Sequence, residues 1–194
     1  MKKILIVGAG GIGSWLASHL YELYKQDQLG DASICFADDD TVDTKNLTYQ
    51  NFKAEDITDL KVNSLSARYG FSAIPERITT SKALEDFDCV ISAVDNTVFR
   101  KLMFKALNKK SIYWLDLRSE GKTVAIFTKH KKNTVPKLLQ TIPTEQTDQS
   151  CQRQYELEAG IVQNGNKIVA AIASQFVLNW LRAENNPPSF IANF

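Results

Sequence analysis

Three glycines, Gly8, Gly10 and Gly13, stand at G-x-G-x-x-G spacing directly after the apolar run Ile4-Leu5-Ile6-Val7. Gly8 permits a tight turn, Gly10 lets a phosphate approach the backbone, and Gly13 lets the following helix pack close to the strand. Bare N–H groups at that helix start, Gly11 among them, favour an anion. A second apolar run, Ser33 to Ala37, ends in Asp38-Asp39-Asp40. In a nucleotide-binding unit an acid at that place holds a ribose hydroxyl. Downstream, Lys61 opens a helical stretch, and Asp95-Asn96 follows the apolar run Asp88 to Val94. A lysine at a helix start opposes the helix dipole, so it is either a solvated side chain or a cation held for phosphate.

These residues need a framework, and the hydrophobic pattern supplies one. Ile4 to Val7 is a short β-branched run of the kind buried on both faces of a parallel sheet. Ser14 to Gln26 carries Trp15, Leu16, Leu20, Leu23 and Tyr24 at helical spacing,. Asp38 to Phe52 is polar and reads as a functional loop with a helical turn. Leu60 to Tyr69 and Thr97 to Asn108 are expected as helices. Ile74 to Ile78 is expected as a third strand, with Glu76 and Arg77 near an edge. Asp88 to Val94 is a fourth. Ile112 to Leu117 and Lys122 to Lys129 are expected as an antiparallel hairpin appended to the parallel sheet. Residues 133–156 are polar and irregular, long for a structureless loop, and are expected to form a lid, a crossover or an interaction segment. Ile168 to Leu181 is the closing helix, and Ser189 to Phe194 a last short strand. The fold class expected is α/β: a Rossmann-like, mainly parallel sheet with helices on both faces and an antiparallel extension. It is expected as one domain over 1–194.

Bulk composition narrows the chemistry. Net charge is +1, with 44% apolar and 23% charged residues. That gives no electrostatic case for nucleic acid or an anionic membrane, and no apolar run approaches the roughly 18 residues of a bilayer span. Cys35, Cys89 and Cys151 are far apart with no C-x-x-C, so neither a disulfide framework nor a zinc knuckle is indicated. A cytoplasmic setting follows as the default. The two histidines, His19 and His130, leave little for acid–base catalysis. A nicotinamide-dependent oxidoreductase would need a proton-transfer residue and a second substrate domain.

The series Asp38-x-Asp40-x-Val42, Asn46-Leu47-x-x-Gln50, Lys61, Asp95-Asn96 and Arg100 resembles the ubiquitin-activating superfamily of ThiF, MoeB and HesA type. The resemblance covers nearly the whole chain. It implies an ATP- and Mg²⁺-dependent adenylyltransferase acting on the C-terminal glycine of a small ubiquitin-like or sulfur-carrier protein, in a homodimer. On that resemblance the turn from Gly8 through Gly10 and Gly11 to Gly13 lies by the ATP phosphates. Asp38 holds the ribose, Asp40 lies near the triphosphate and metal, Asn46 and Lys61 contact phosphates, and Asp95, with Asn96 beside it, ligates Mg²⁺. Attack of a carboxylate on the α-phosphate brings two anions together, so lysine and magnesium must offset that charge.

Each residue also has a structural reading: Asp38 to Asp40 as a solvated strand end, Asn46 as a turn cap, Asp95 as the cap of the Thr97 helix. Three departures from the family pattern stand out. Tyr49 occupies the usual arginine position of an Arg-Gln pair, and a phenol carries no cation; Arg100, Arg118 or an arginine from a partner chain is the candidate substitute. The paired zinc cysteines are missing, so no structural zinc is expected. The chain starts at the first strand, where relatives such as MoeB carry helices that build the dimer. Cys151, with Arg153 near it, lies where many relatives carry a cysteine that forms a thioester or persulfide. It is either such a nucleophile or an inert loop residue. A non-catalytic nucleotide- or partner-binding relative is the alternative function, motivated by Tyr49.

Overall fold

The computed structural model describes residues 1–142 and 163–194. β1 (Lys3–Val7) is buried from Ile4 onward. Its side chains alternate between two layers, as strand geometry requires. Ile4 and Ile6 meet α1 (Gly11–Lys25), α2 (Lys61–Tyr69) and α5 (Gly165–Leu181). Leu5 and Val7 meet α3 (Thr97–Leu107) and α4 (Val135–Gln140). Helices thus cover both faces, which is why the strand reads as an unbroken apolar run.

With β2 (Ser33–Ala37), β3 (Ser72–Ile74), β4 (Cys89–Ser92), β5 (Tyr113–Glu120), β6 (Thr123–Thr128) and β7 (Ser189–Asn193), the sheet has the order β3-β2-β1-β4-β5-β6-β7. It is parallel from β3 to β5 and antiparallel from β5 to β7. The chain runs outward from β1 to β3 and then returns to β4 on the opposite side of β1. Strand order therefore reverses between β1 and β4, and ligands of open α/β sheets bind outside the strand ends at such a switch. The turn after β1, the acids after β2 and the loop after β4 all meet there.

The expected Rossmann-like architecture is the observed one, with three local corrections. The third strand is Ser72–Ile74, not Ile74 to Ile78, because Pro75 has no N–H for the ladder. The polar stretch from residue 133 is not irregular throughout: Val135–Gln140 is a helix with proline in its first turn, where a missing N–H costs nothing. β5 is longer than expected. Its pairing with β4 ends at Ser92–Asp116, and residues 117–120 continue past the rim on β6 alone. Among the described residues no helix is long and apolar enough to cross a membrane.

Candidate functional site

The glycine turn is fixed from inside. Gly8 has φ +101°, and a Cβ there would lie 2.7 Å from the Ala93 carbonyl oxygen. Gly13 is packed so closely on the Gly8 carbonyl that a methyl group would overlap it. It therefore sits beneath the turn, not on its open face. Gly10 is different: the nearest atom to a Cβ there is Gln50 Nε2 at 3.9 Å. No side chain caps α1 at Gly10, so the first N–H groups of the helix face a space that an anion can enter.

Asp38 is locked to this turn. Its carboxylate accepts from Ala9 N–H at 2.6 Å and from Asp40 N–H at 2.8 Å. Burial nonetheless outweighs these bonds and pushes its pKa up,. Asp40 and Lys61 are joined twice, by the Lys61 N–H to Asp40 carbonyl bond at 2.9 Å and by Nζ to Oδ2 at 2.9 Å. The ammonium is almost closed off at 8% side-chain exposure, whereas the carboxylate is 58% exposed. The loop between them is drawn shut at its base. Thr41 bridges Leu60, Val42 N–H donates to Asp59, and Thr58 N–H donates to Val42. Farther along, Arg68 pairs with Asp56 and donates to the Asn51 carbonyl at 2.7 Å.

That loop presents Asn46 and Gln50. Asn46 Oδ1 accepts from Asp43 N–H at 2.9 Å in a capping box, so the turn-cap reading is correct for its oxygen. Gln50 is buried, and its Oε1 has no hydrogen-bond partner among the described residues. Across the cleft Asn96, not Asp95, caps α3, accepting from Val98 and Phe99 N–H. Asp95 is left exposed, its carboxylate uncommitted among the described residues.

The result is a cleft of about 670 Å³. Of the residues singled out from sequence, it brings together Gly8, Gly10, Gly11, Asp38, Asp40, Asn46 and Lys61, with Asp95 and Asn96 opposite. Its wall also includes Asp39, Asp43 and Glu76, so six carboxylates face three cations: Lys45, Lys61 and Arg77. A bare polyphosphate meets repulsion in such a space. One carrying a divalent cation does not. The Asp38, Asp39 and Asp40 oxygens lie within 4.8 Å of one another.

A sequence model of the ThiF family matches residues 1–194. The chain belongs to the ThiF family. It is 30% identical over 134 residues to the adenylyltransferase and sulfurtransferase UBA4 of Lodderomyces elongisporus, over 62% of this chain and 28% of that protein. Among solved structures it is similar to E. coli MccB with MccA-N7isoASN, at TM-score 0.69 and 17% identity over 96% of this chain and 58% of that one. MccB with ATP matches at TM-score 0.63 and 18% identity, over 96% of this chain and 57% of that one. PaaA matches at TM-score 0.68 and 16% identity, over the full chain and 70% of PaaA. This ThiF-family chain thus spans less than a third of UBA4 and less than three fifths of the MccB chain.

Within this ThiF-family cleft neither Arg100 nor Arg118 is free to replace the missing arginine. Arg100 is buried and engages Asp116 at 3.1 Å and the Val94 carbonyl. Arg118 engages the other oxygen of Asp116 at 2.7 Å and the Thr141 carbonyl at 2.7 Å. Asp116 is fully buried between them. Among the described residues the arginine that does reach the cleft is Arg77, paired with Asp39 at 3.1 Å. Sequence reasoning placed it only near a strand edge. Tyr49 lines the cleft and its carbonyl holds the Trp15 indole N–H. Cys35 and Cys89 are strand residues whose burial pushes both thiols up. Cys151 and Arg153 lie outside the described residues.

Proposed function

We propose that the cleft binds Mg-ATP and adenylates the C-terminal carboxylate of a small protein or peptide. One observation carries the reading: Asp40, Lys61 and Asp95, far apart in sequence, line one cleft beside the open face of Gly10. The donor set fits a metal-bound triphosphate. Lys61 and Asn46 Nδ2 are donors for phosphate oxygens, α1 adds N–H groups, and Asp95 with Asp40 supplies oxygen ligands suited to a hard cation. Bound there, Mg²⁺ would neutralise charge on the leaving pyrophosphate.

The reaction needs little else. A carboxylate oxygen attacks the α-phosphorus, the bond to the β-phosphate bridging oxygen breaks, and pyrophosphate departs with the electron pair. The nucleophile is already ionised at neutral pH, so no proton has to move. The similarity to the adenylyltransferase and sulfurtransferase UBA4 and to MccB with MccA supports a small carrier protein or a peptide as the partner.

The test is ATP–pyrophosphate exchange with small proteins or peptides ending in Gly-Gly. Exchange that requires both Mg²⁺ and a free C-terminus supports the reading. A thermal shift with NAD but none with Mg-ATP rejects it in favour of an oxidoreductase. A second reading, a non-catalytic binder, rests on Tyr49 and on the commitment of Arg100 and Arg118 to Asp116; Mg-ATP binding without exchange selects it.

A further inference from the structure

Beside the nucleotide cleft lies a second polar junction that the roles above leave unused. Asn166, in the first turn of α5, is 1% exposed, and among the described residues neither its Oδ1 nor its Nδ2 has a hydrogen-bond partner. Its amide presses on Gly11, which lines the cleft; a Cβ on Gly11 would overlap Nδ2. Ser119, on the part of β5 that passes the rim, is 9% exposed, and its Oγ is likewise unpartnered. It abuts Gly165, next to Asn166, where a Cβ would overlap Oγ. Neither α1 nor α5 has a side-chain cap. Two long helices therefore bring their positive ends to one place, separated by two buried, unsatisfied polar side chains.

Buried polar groups in folded proteins are normally paired, and the exceptions call for a reason. Two helix N-termini with amide and hydroxyl donors suit a carboxylate. Asn166 Oδ1 suits the N–H of the residue that bears it. Resting on the adenylation reading, we propose that Asn166 and Ser119, at the meeting of the α1 and α5 N-termini, seat the C-terminal carboxylate of the substrate. They are positioning residues. Gly11 is common to both, lining the nucleotide cleft and touching Asn166, so a carboxylate seated there lies next to the phosphates it attacks. Specificity follows: a free carboxylate with an N–H behind it is accepted, and a C-terminal amide is not.

The probe is N-acetylglycylglycine, with its C-terminal amide as control, titrated into the full chain with and without Mg²⁺ and a non-hydrolysable ATP analogue. Selective ¹⁵N-asparagine labelling reports the Asn166 side-chain amide. Saturable shifts of that resonance with the acid and not the amide are expected. Asn166→Ala and Ser119→Ala should each weaken acid binding at least tenfold, with the affinity for the ATP analogue held within twofold. Asn166→Ser, which keeps a donor, should restore part of it. Absence of saturable binding by the acid, or equal binding by Asn166→Ala, overturns the seat. If the analogue itself fails to bind, the adenylation reading falls, and the titration without nucleotide still decides the seat.

Discussion

Replacing Lys61 by methionine separates a phosphate ligand from an ordinary ion pair. The side chain keeps its length and apolar stem and loses only the ammonium. On the stability side, the partner Asp40 is 58% exposed, so the pair is worth about 0–1 kcal/mol. A cation in the first turn of α2 costs about 0.3–1 kcal/mol against the helix dipole. The two nearly offset, and in a chain of this size the melting temperature should move by less than about 4 °C. On the ligand side, a hydrogen bond to a charged group contributes about 1.5–3 kcal/mol, so Mg-ATP affinity should fall about tenfold to a hundredfold. Titration calorimetry for the ligand and calorimetric melting for the fold read the two effects separately. An unchanged Mg-ATP affinity with a melting temperature lowered by about 8 °C or more would make Lys61 a structural residue and break the argument.

Asp95→Ala should weaken Mg-ATP more than metal-free ATP and leave thermal stability within about 0.5 kcal/mol, because the side chain is exposed,; equal loss for both nucleotides removes it from the metal. Gly13→Ala forces a methyl into the Gly8 carbonyl and should cost about 1–3 kcal/mol in urea unfolding; an unchanged midpoint contradicts the packing described. Asp116→Asn leaves a buried and a half-buried guanidinium group short of their carboxylate and should cost about 3–5 kcal/mol, with a loss under about 1 kcal/mol counting against the clamp. Burial holds the His19 pKa below its ordinary value. The unfolded chain then takes up the proton first, so stability should fall as pH drops through about 6.5, and His19→Gln should flatten that limb in a pH series of melting curves.

Much of this molecule could be read before folding because local and global signals agree. Ile4 to Val7 is apolar on both faces, and the spacing of Gly8, Gly10 and Gly13 places a turn and a helix start after it. What escaped depends on partners distant in sequence. Asp116 lies in an apolar strand, and nothing nearby shows that Arg100 and Arg118 will enclose it. The end of β3 was legible at Pro75, which cannot join a ladder, and the expected strand from Ile74 to Ile78 overran it. Arg77 joins the cleft only because the chain turns back after that strand. Asp95 and Asn96 are equally good caps by type; backbone geometry gave the role to Asn96. The helix at Val135–Gln140 is too short for its period to show,.

The closed base of the loop between Asp40 and Lys61 has a consequence for how such proteins vary. Thr41, Val42, Thr58, Asp59 and Leu60 form a collar that sets the distance between the carboxylate and the ammonium. Chain added around Lys53 to Glu55, which are exposed, enlarges what hangs from the collar and leaves its width alone. Lengthening such a loop costs little free energy. Lineages can therefore remodel this segment for different partners while the pair of charges at its root stays in register.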